Sequence, residues 1–484
     1  MMQAAEAERR GAPSTELAWM TAHELLAGYR AKRFTPLDVI EDVIAALEWS
    51  DARCNIVVTD LYDSARVEAK RATEAYRAGE ARGALAGVPV TIKDLLFIAG
   101  VKAHAGAPSL ADFVPQTDSA AVERLKAAGA VLTCKTTTCE YGYKLTADSP
   151  LTGITRNPWD LSRTSGGSSG GAAAAVAAGC GPLGVGTDAV GSIRIPASFC
   201  GVFGIKPTFG LVPRAPGFFP PSWGSLAHTG PIARTVADAA LMLEAMAGFD
   251  PRDAVSLPQP PRKFSAEPGK LDGLRIGFSL DWGFAAVDPQ VRAAFSAAMD
   301  ALADCGAGVT PLPSGLDPDI LETVLKPVGY TEQAASVAPR APEVLVLSDP
   351  EFQAVVRQGR TYSGTDHVQA LHRRATLRNT LLAMFKSCDV VATPTVAVTA
   401  FAAGEIGIDE IDGRPVDKHL GWSPFSWPIN LAGLPAASVP CGFDRDGMPI
   451  GLQLVGPMLG EPVLIRVAAA FEAARPWAGK RPPN

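Results

Sequence analysis

The chain has 484 residues, more than one hydrophobic core usually fills, yet no linker, repeat or low-complexity tract divides it. It carries 44 lysine and arginine residues against 50 aspartate and glutamate residues, a net charge of −6. This balance is too mild to favour nucleic acid or an acidic surface as a partner. We therefore expect a single domain over 1–484 that binds small molecules.

The cysteines and histidines show no metal-binding pattern. The eight cysteines are scattered, their close pair Cys134 and Cys139 lacks metal-ligand spacing, and none of the six histidines lies in an H-E-x-x-H motif. We therefore expect no metal and no other cofactor. A lone histidine such as His228 is more often structural than substrate-binding.

Compartment signals favour the cytoplasm. Scattered thiols are typical of a reducing compartment, and the charged N-terminus has no apolar core that would make it a signal peptide. The uncharged interval 170–186 consists largely of alanine and glycine, which are too weakly hydrophobic for a membrane span. We therefore expect a soluble, cytoplasmic protein.

Helix signals dominate the start of the chain. A capping box at 21–24 opens one helix, a threonine-proline pair at 35–36 opens a second, and a third is expected over 60–82. Together they predict an N-terminal helical layer over 1–82.

From residue 87 onward, strand and helix patterns alternate. The predicted elements are strands at 88–92, 130–134 and 183–186, helices at 119–128 and 169–178, a helix after Thr235, a strand at 274–280, a helix at 289–303 and a strand near Val309. This alternation predicts an α/β fold, with helices on the faces of a central sheet, for a catalytic core over 83–315.

The rest of the chain divides into a helical part and a return to the sheet. Residues 317–385 read as helical and are expected to carry substrate specificity. Over 386–484, the sheet is expected to be completed by strands at 390–393, 436–439 and 452–455 and a helix at 461–473.

Glycine and hydroxyl residues concentrate between 163 and 208. Glycine lets the backbone adopt φ > 0 and brings amide N–H groups close to a ligand or a developing oxyanion. Alanine and glycine in quantity are also typical of a tightly packed core, which is the alternative interpretation. The active-site interpretation is favoured by hydroxyl groups, which are costly to bury unbonded, at Ser165, Ser168, Ser169, Thr187 and Ser192.

Three short motifs in this stretch are weak. Residues 166–170 match G-x-S-x-G, the nucleophile elbow of α/β-hydrolases, but they follow a polar, turn-like segment instead of an apolar strand. Residues 179–184 match G-x-G-x-x-G, but they follow a helix and precede a strand, the reverse of a dinucleotide site. Residues 186–192 resemble a phosphate loop without its lysine.

Longer motifs carry a family likeness. They are G-V-P-V-T-I-K-D at 87–94, G-G-S-S-G-G at 166–171, G-T-D-x-x-G-S-I-R-x-P at 186–196, C-G at 200–201, K-P-T at 206–208, L-P-A-A-S-V-P-C-G at 434–442 and P-I-G-L-Q at 449–453. With these motifs the chain resembles the amidase signature family of serine hydrolases over nearly its whole length. The resemblance implies an α/β fold with a mixed central sheet flanked by helices on both faces.

The family's catalytic groups match three residues. The resemblance implies that Ser192 is the nucleophile, that Ser168 is a bridging serine held by a cis peptide bond, and that Lys93 is the base. A lysine can serve as a base only where burial or nearby cations lower its pKa. Lys93 follows the apolar strand 88–92, so we expect it to emerge from a buried sheet. The alternative is an ordinary strand-end lysine paired with Asp94.

The same resemblance predicts an oxyanion-binding loop. Its backbone N–H donors would be Ala189, Val190, Gly191 and Ser192, and its supporting residues would be Gly167, Asp188 and Arg194. The family usually has two glycines before the nucleophile, and Val190, in place of the first, cannot easily adopt φ > 0. Ser165 stands where proline is common. We expect these departures to affect substrate shape more than activity.

Aromatic segments are the candidate substrate pocket. Residues 209–228 are rich in proline and aromatic side chains and poor in charge. Phe218, Phe219 and Trp223 are therefore expected to line an apolar pocket, the alternative being a surface loop that buries its own aromatics. Trp427, in a second aromatic segment, is expected to join them.

These features predict an amidase that hydrolyses the C–N bond of neutral, fairly apolar amides, anilides or carbamates; a homodimer is compatible with the sequence. A glutaminase-like subunit of an amidotransferase also resembles the chain throughout. An α/β-hydrolase esterase would use Ser168 as nucleophile and His367 or His372 as base. A non-catalytic binding protein is less favoured, because nothing in it would require Lys93.

Overall fold

A mixed sheet of eleven strands forms the centre of the fold. The structure is a computed structural model that describes residues 15–215, 224–258, 263–313 and 315–483, apart from the Arg340 side chain. The strands are β1 Val57–Asp60, β2 Pro89–Lys93, β3 Val131–Thr136, β4 Leu183–Asp188, β5 Phe203–Lys206, β6 His228–Ala233, β7 Arg275–Phe278, β8 Gly308–Pro311, β9 Val390–Pro394, β10 Ala436–Phe443 and β11 Pro449–Val455.

Strand order and direction show why the sheet is mixed. Across the sheet the order is β1, β3, β2, β4, β6, β5, β10, β11, β9, β7 and β8. β2 pairs in parallel with β3 and β4, and β7 pairs in parallel with β8 and β9. The remaining pairs are antiparallel, so the predicted mixed sheet is confirmed.

Fourteen α-helices accompany the sheet within the described ranges. They are α1 Ala22–Arg30, α2 Pro36–Cys54, α3 Tyr62–Ala78, α4 Ala120–Ala127, α5 Gly170–Ala177, α6 Arg194–Cys200, α7 Val236–Met246, α8 Pro289–Asp304, α9 Lys326–Val337, α10 Ala341–Leu345, α11 Pro350–Gly359, α12 Gly364–Met384, α13 Trp427–Ala432 and α14 Glu461–Ala474. Short 3₁₀ turns lie at Pro108–Leu110, Glu140–Gly142 and Ala338–Arg340, and a π turn at Leu321–Leu325. Two-stranded hairpins pair Asp148–Ser149 with Gly153–Ile154, Arg156–Asn157 with Asp160–Thr164, and Glu410–Ile411 with Arg414–Pro415.

Local signals explain where the first helices begin. The Thr21 hydroxyl accepts the N–H of Glu24, whose carboxylate accepts the N–H of Thr21, which confirms the predicted capping box. Thr35 and Asp38 make the same exchange before α2, where Pro36 occupies the first helical position.

Helices cover both faces of the sheet. Residues of α1 and α2 share a buried apolar cluster with the alanine-rich α5, whereas residues of α4, α7, α8 and α14 pack in a second cluster with most of the strands. Every residue of α5 is buried. A Cβ atom on Gly171 would lie 2.3 Å from Thr137 Oγ1, so only a small residue fits there. Tight core packing and the hydroxyl groups of this stretch therefore coexist.

Three elements near the candidate site were not predicted, namely β5, α6 and β6. β6 contains Pro231, and proline is uncommon in a central strand. α6 carries Pro196 in its first turn, where the N–H that proline lacks would have no helical acceptor. The predicted helix 60–82 is Tyr62–Ala78 and is preceded by the unpredicted edge strand β1. Within the described ranges, no helix has the length and apolarity that a bilayer span needs.

Candidate active site

The carboxyl ends of two neighbouring strands bring the predicted groups together. β2 and β4 run parallel, with Ile92 opposite Val185. Lys93 is the last residue of β2, and Asp188 is the last residue of β4. Because both strands end at the same edge of the sheet, Lys93 lies near the loop that follows Asp188. We refer to residues 189–193 as the 189–193 loop.

Lys93 is enclosed by hydroxyl groups. Its Nζ donates hydrogen bonds to Ser168 Oγ at 2.7 Å, to Ser169 Oγ at 2.9 Å and to Thr187 Oγ1 at 2.9 Å. The side chain is fully buried. The lysine is therefore held by neutral acceptors, among them the predicted bridging serine.

The surroundings of Lys93 favour the neutral amine. Burial lowers the pKa of Lys93 to about 7, against smaller opposing effects of Cys139 and Asp188. Asp94, the partner expected of an ordinary strand-end lysine, forms its ion pair with Lys135 instead, at 2.7 Å. A substantial fraction of Lys93 is therefore unprotonated near neutral pH, which is what a general base requires.

Ser168 lies in a tight backbone environment. The Gly167–Ser168 peptide bond is cis. A Cβ atom on Gly167 would lie 2.1 Å from the carbonyl oxygen of Thr146, and one on Gly142 would lie 3.3 Å from Ser168 Oγ. The Ser168 hydroxyl is thus held between Lys93 and neighbouring backbone, with little room to move.

Ser192 carries a buried hydroxyl that has no hydrogen-bond partner among the described residues. Its carbonyl oxygen accepts the N–H of Ser169 at 3.1 Å, and the Ser169 hydroxyl is bonded to Lys93. Ser192 therefore adjoins the lysine cluster while its own Oγ stays unpaired, a costly state for a buried hydroxyl. An unpaired hydroxyl near a base is the arrangement expected of a nucleophile.

The amide groups of the 189–193 loop differ in their hydrogen bonding. The N–H of Gly191 donates to Asp188 Oδ1 at 2.8 Å. Within the described ranges, no acceptor receives the N–H groups of Ala189, Val190 and Ser192. Three of the four amides predicted to bind an oxyanion are thus available in this structure.

Gly191, and not Val190, takes the left-handed conformation of the loop. Its φ is +131°, and a Cβ atom there would lie 2.6 Å from both Ile195 Cδ1 and Ser426 Oγ. Val190 is not among the residues with positive φ, and its side chain is fully buried. The missing first glycine of the family pattern therefore introduces no left-handed strain at Val190.

A buried ion pair supports the loop. Arg194 donates from Nε to Asp188 Oδ2 at 2.9 Å and from Nη2 to Asp188 Oδ1 at 3.0 Å, and both side chains are fully buried. Burial alone would raise the pKa of Asp188, but the charge and hydrogen bonds of Arg194 outweigh it and hold that pKa well below its usual range. The N–H of Ile193 also donates to Asp188 Oδ2, at 3.2 Å. The ionised carboxylate therefore ties the far end of the loop to its start.

Sequence reasoning missed several residues that complete this network. Arg194 Nη1 donates to Gln453 Oε1 at 2.6 Å. Asn430 Nδ2 donates to Asp188 Oδ1 at 2.8 Å and to its carbonyl oxygen at 2.9 Å. His228 Nδ1 lies 3.1 Å from the same carbonyl oxygen. The available signal was that these polar residues interrupt apolar runs, which does not by itself identify their partners.

The predicted pocket is described only in part, because Phe218, Phe219 and Trp223 lie outside the described residues. Trp427, the first residue of α13, is 2% exposed, and its indole N–H has no partner among the described residues. The preceding Ser426 donates to the carbonyl oxygen of Val190 at 2.7 Å. Trp427 thus follows a residue that contacts the 189–193 loop.

The nucleophile-elbow alternative does not fit this arrangement. Ser168 follows Asp160–Thr164, which belongs to a two-stranded hairpin and not to the central sheet. His372 is exposed on α12, and His367 Nδ1 lies near a backbone carbonyl of α9. The side chain that contacts Ser168 is Lys93, and no contact within the described ranges joins Ser168 to either histidine.

Comparisons with known proteins agree with one another. The family model described as Amidase matches residues 38–465. An acylamidase of Rhodococcus erythropolis is 34% identical, over 96% of this chain and 98% of the relative. A glutamyl-tRNA(Gln) amidotransferase subunit of Moorella thermoacetica is 37% identical, over 96% of this chain and 99% of the relative. The crystal structure of a bacterial aryl acylamidase of the amidase signature family superimposes with a TM-score of 0.88 at 30% identity, covering 96% of this chain and 99% of that one.

Proposed function

Because the chain belongs to the amidase signature family, we propose that it hydrolyses neutral, fairly apolar amides, anilides or carbamates through Ser192, Ser168 and Lys93. The observation that carries the proposal is the enclosed Lys93 amine, bonded to Ser168 and to Ser169, whose N–H in turn binds the carbonyl of Ser192. Burial holds the pKa of this amine at about 7, within the range in which a base works at neutral pH.

The first chemical step forms an acyl-enzyme. Lys93 accepts a proton through Ser168 as the Ser192 oxygen attacks the substrate carbonyl carbon. The negative charge that develops on the carbonyl oxygen is stabilised by the unpaired amide N–H groups of the 189–193 loop. When the tetrahedral intermediate collapses, the C–N bond breaks and the proton passes from Lys93 through Ser168 to the leaving nitrogen.

The second step releases the acid. Water attacks the acyl-Ser192 ester, its proton passes to the base, and the Ser192 hydroxyl is restored. A carbamate follows the same steps with a carbonyl flanked by oxygen and nitrogen, so this apparatus can serve both substrate classes.

The preference for neutral substrates rests on the aromatic segment near the site. From Trp422 to Pro428 the chain carries no charged side chain and is entirely buried. Such a wall favours an apolar group on the substrate over a carboxylate. The likeness to an acylamidase and to an aryl acylamidase supports the same preference.

A second candidate function is that of a glutaminase-like subunit. The 37% identity to a glutamyl-tRNA(Gln) amidotransferase subunit, over 96% of this chain, favours it. Such a protein would release ammonia from glutamine and pass it to a partner. Glutamine hydrolysis together with a stable co-purifying partner would establish this function in place of the first.

The proposal is tested with a panel of neutral aryl amides, carbamates and esters, together with glutamine. Ser192→Ala, Ser168→Ala and Lys93→Ala are each expected to abolish the hydrolysis of a neutral amide or carbamate. Ser296→Ala and Lys386→Ala, at exposed positions on α8 and after α12, are the matched controls. Full activity of Ser192→Ala, or turnover confined to carboxylate-bearing amides, would overturn the proposal.

A further inference from the structure

Two side chains converge on one backbone oxygen beside the 189–193 loop. The carbonyl oxygen of Asp188 lies 2.9 Å from Asn430 Nδ2 and 3.1 Å from His228 Nδ1. The two nitrogens are 3.5 Å apart. A carbonyl oxygen can only accept, so His228 Nδ1 must carry the hydrogen and Nε2 the lone pair. His228 begins β6 directly opposite Asp188 at the end of β4.

His228 is neutral in this position. Burial, and next the positive charge of Lys206, lower its pKa well below the usual range. The ring is 3% exposed and packs edge-on against Phe209, with centroids 5.2 Å apart. Its Nε2 has no partner among the described residues. The Asp188 carbonyl is therefore the acceptor that the His228 side chain serves in the described chain.

Holding a carbonyl also aims the next amide. In a trans peptide unit the C=O and the N–H point in opposite directions within one plane. The donors on the Asp188 carbonyl therefore fix the direction of the Ala189 N–H. Likewise, the N–H of Ile195 donates to the Gly191 carbonyl at 2.8 Å and so fixes the direction of the Ser192 N–H. Ala189 and Ser192 supply two of the three amides that the loop leaves unpaired.

We propose that His228 is a positioning residue that, with Asn430, aims the Ala189 N–H at the oxygen of the tetrahedral intermediate. The proposal rests on the proposed function for the reaction itself. Asn430 has further duties, since it also binds the Asp188 carboxylate and accepts a hydrogen bond from Arg194. His228 is the better residue to test, because its change removes a single hydrogen bond.

A matched pair of variants isolates that bond. The side-chain nitrogen of asparagine occupies nearly the position of histidine Nδ1, so His228→Asn keeps the donor, whereas His228→Leu removes it. His228→Gln keeps size and polarity but places its amide nearer the Nε2 position, so it is a second loss variant should His228→Leu fold poorly. His372→Leu, at an exposed histidine, is the control.

The readout is the rate at which a fluorophosphonate labels Ser192. The Ser192 oxygen bonds to phosphorus, fluoride leaves, and the phosphoryl oxygen takes the place of the oxyanion. Removing one oxyanion donor typically costs a hundred-fold or more in rate, so for a misaimed donor we expect His228→Leu to lower the labelling rate constant about ten- to a hundred-fold. His228→Asn is expected to recover most of that loss, and kcat for an amide to change in parallel at unchanged KM.

Two results would overturn the inference. One is labelling of His228→Leu and His228→Gln at the wild-type rate with unchanged melting temperature. The other is a His228→Asn variant as slow as His228→Leu. If the wild type hydrolyses no amide or carbamate but Ser192 is still labelled with the expected pattern, the proposed function fails and the positioning role stands.

Discussion

Ser426 donates a 2.7 Å hydrogen bond to the carbonyl oxygen of Val190, which precedes it by 236 residues. The contact brings the start of α13 onto the 189–193 loop and closes the space around Gly191. It also holds the peptide unit whose N–H binds Asp188. The conformation of the oxyanion loop therefore depends on a segment near the other end of the chain.

We predict that Gly191→Ala inactivates the enzyme. The new Cβ would lie 2.6 Å from Ser426 Oγ and Ile195 Cδ1, at a φ that alanine rarely adopts. Since the loop must shift, we expect kcat to fall about a hundred-fold or more, as it does when an oxyanion donor is lost. Gly364→Ala, where a Cβ meets nothing within 4 Å, is the control in the same kinetic assay. Equal activity of the two variants would contradict the prediction.

The acid limb of the pH profile should report Lys93. Its pKa lies at about 7, and only the unprotonated amine can accept the proton of Ser192. We expect kcat/KM to fall about ten-fold per pH unit below 7 and to level off above it. A profile that is flat through neutral pH would show that Lys93 is not the base.

Ser169→Ala should shift that limb to lower pH. Ser169 Oγ accepts a hydrogen bond from Lys93 Nζ at 2.9 Å. Its removal takes an acceptor from the charged ammonium, so the pKa of Lys93 should fall further. The neighbouring Ser165→Ala is the control, because Ser165 Oγ donates to the carbonyls of Thr155 and Gly166 instead. A shift to higher pH would contradict this account.

Lys93→Met should be inactive but more stable than the wild type. The pKa of Lys93 falls from 10.5 unfolded to about 7 folded, so below pH 7 folding carries an electrostatic cost on the order of a few kcal/mol. Since the unfolded chain binds more protons between pH 7 and 10.5, that cost shrinks as pH rises through this window. Urea denaturation at pH 7 and pH 9.5 should show a larger gain for Lys93→Met at pH 7. An equal gain at both pH values would refute the linkage.

Asp188→Asn should destabilise the fold strongly. It leaves the fully buried Arg194 guanidinium without its carboxylate, and breaking one side of a buried pair typically costs about 3–5 kcal/mol. Asp389→Asn breaks the partly exposed pair with Arg275, which we expect to cost at most about 1 kcal/mol. Urea denaturation of both variants provides the comparison, and similar unfolding free energies would contradict the prediction.

Elements with strong local patterns were predicted well. The capping box at Thr21, the strand that ends at Lys93 and the helix after Asp288 lie within a few residues of their predicted bounds. β6 was missed because its proline argues locally against a strand, while its pairing with β4 and β5 is a long-range property. Local pattern and long-range pairing disagree at that point, and the pairing decides the structure.

By itself, the sequence determined the α/β class, the family and the identities of Lys93, Ser168 and Ser192 as candidates, because contiguous motifs and hydrophobic periodicity are local. Only the tertiary structure decided which hydroxyl groups surround Lys93 and how far its pKa falls, since burial is produced by the whole fold. It also decided that Asn430 meets Asp188 across 242 residues. Contacts at that separation depend on sheet order and helix packing, which no local pattern encodes.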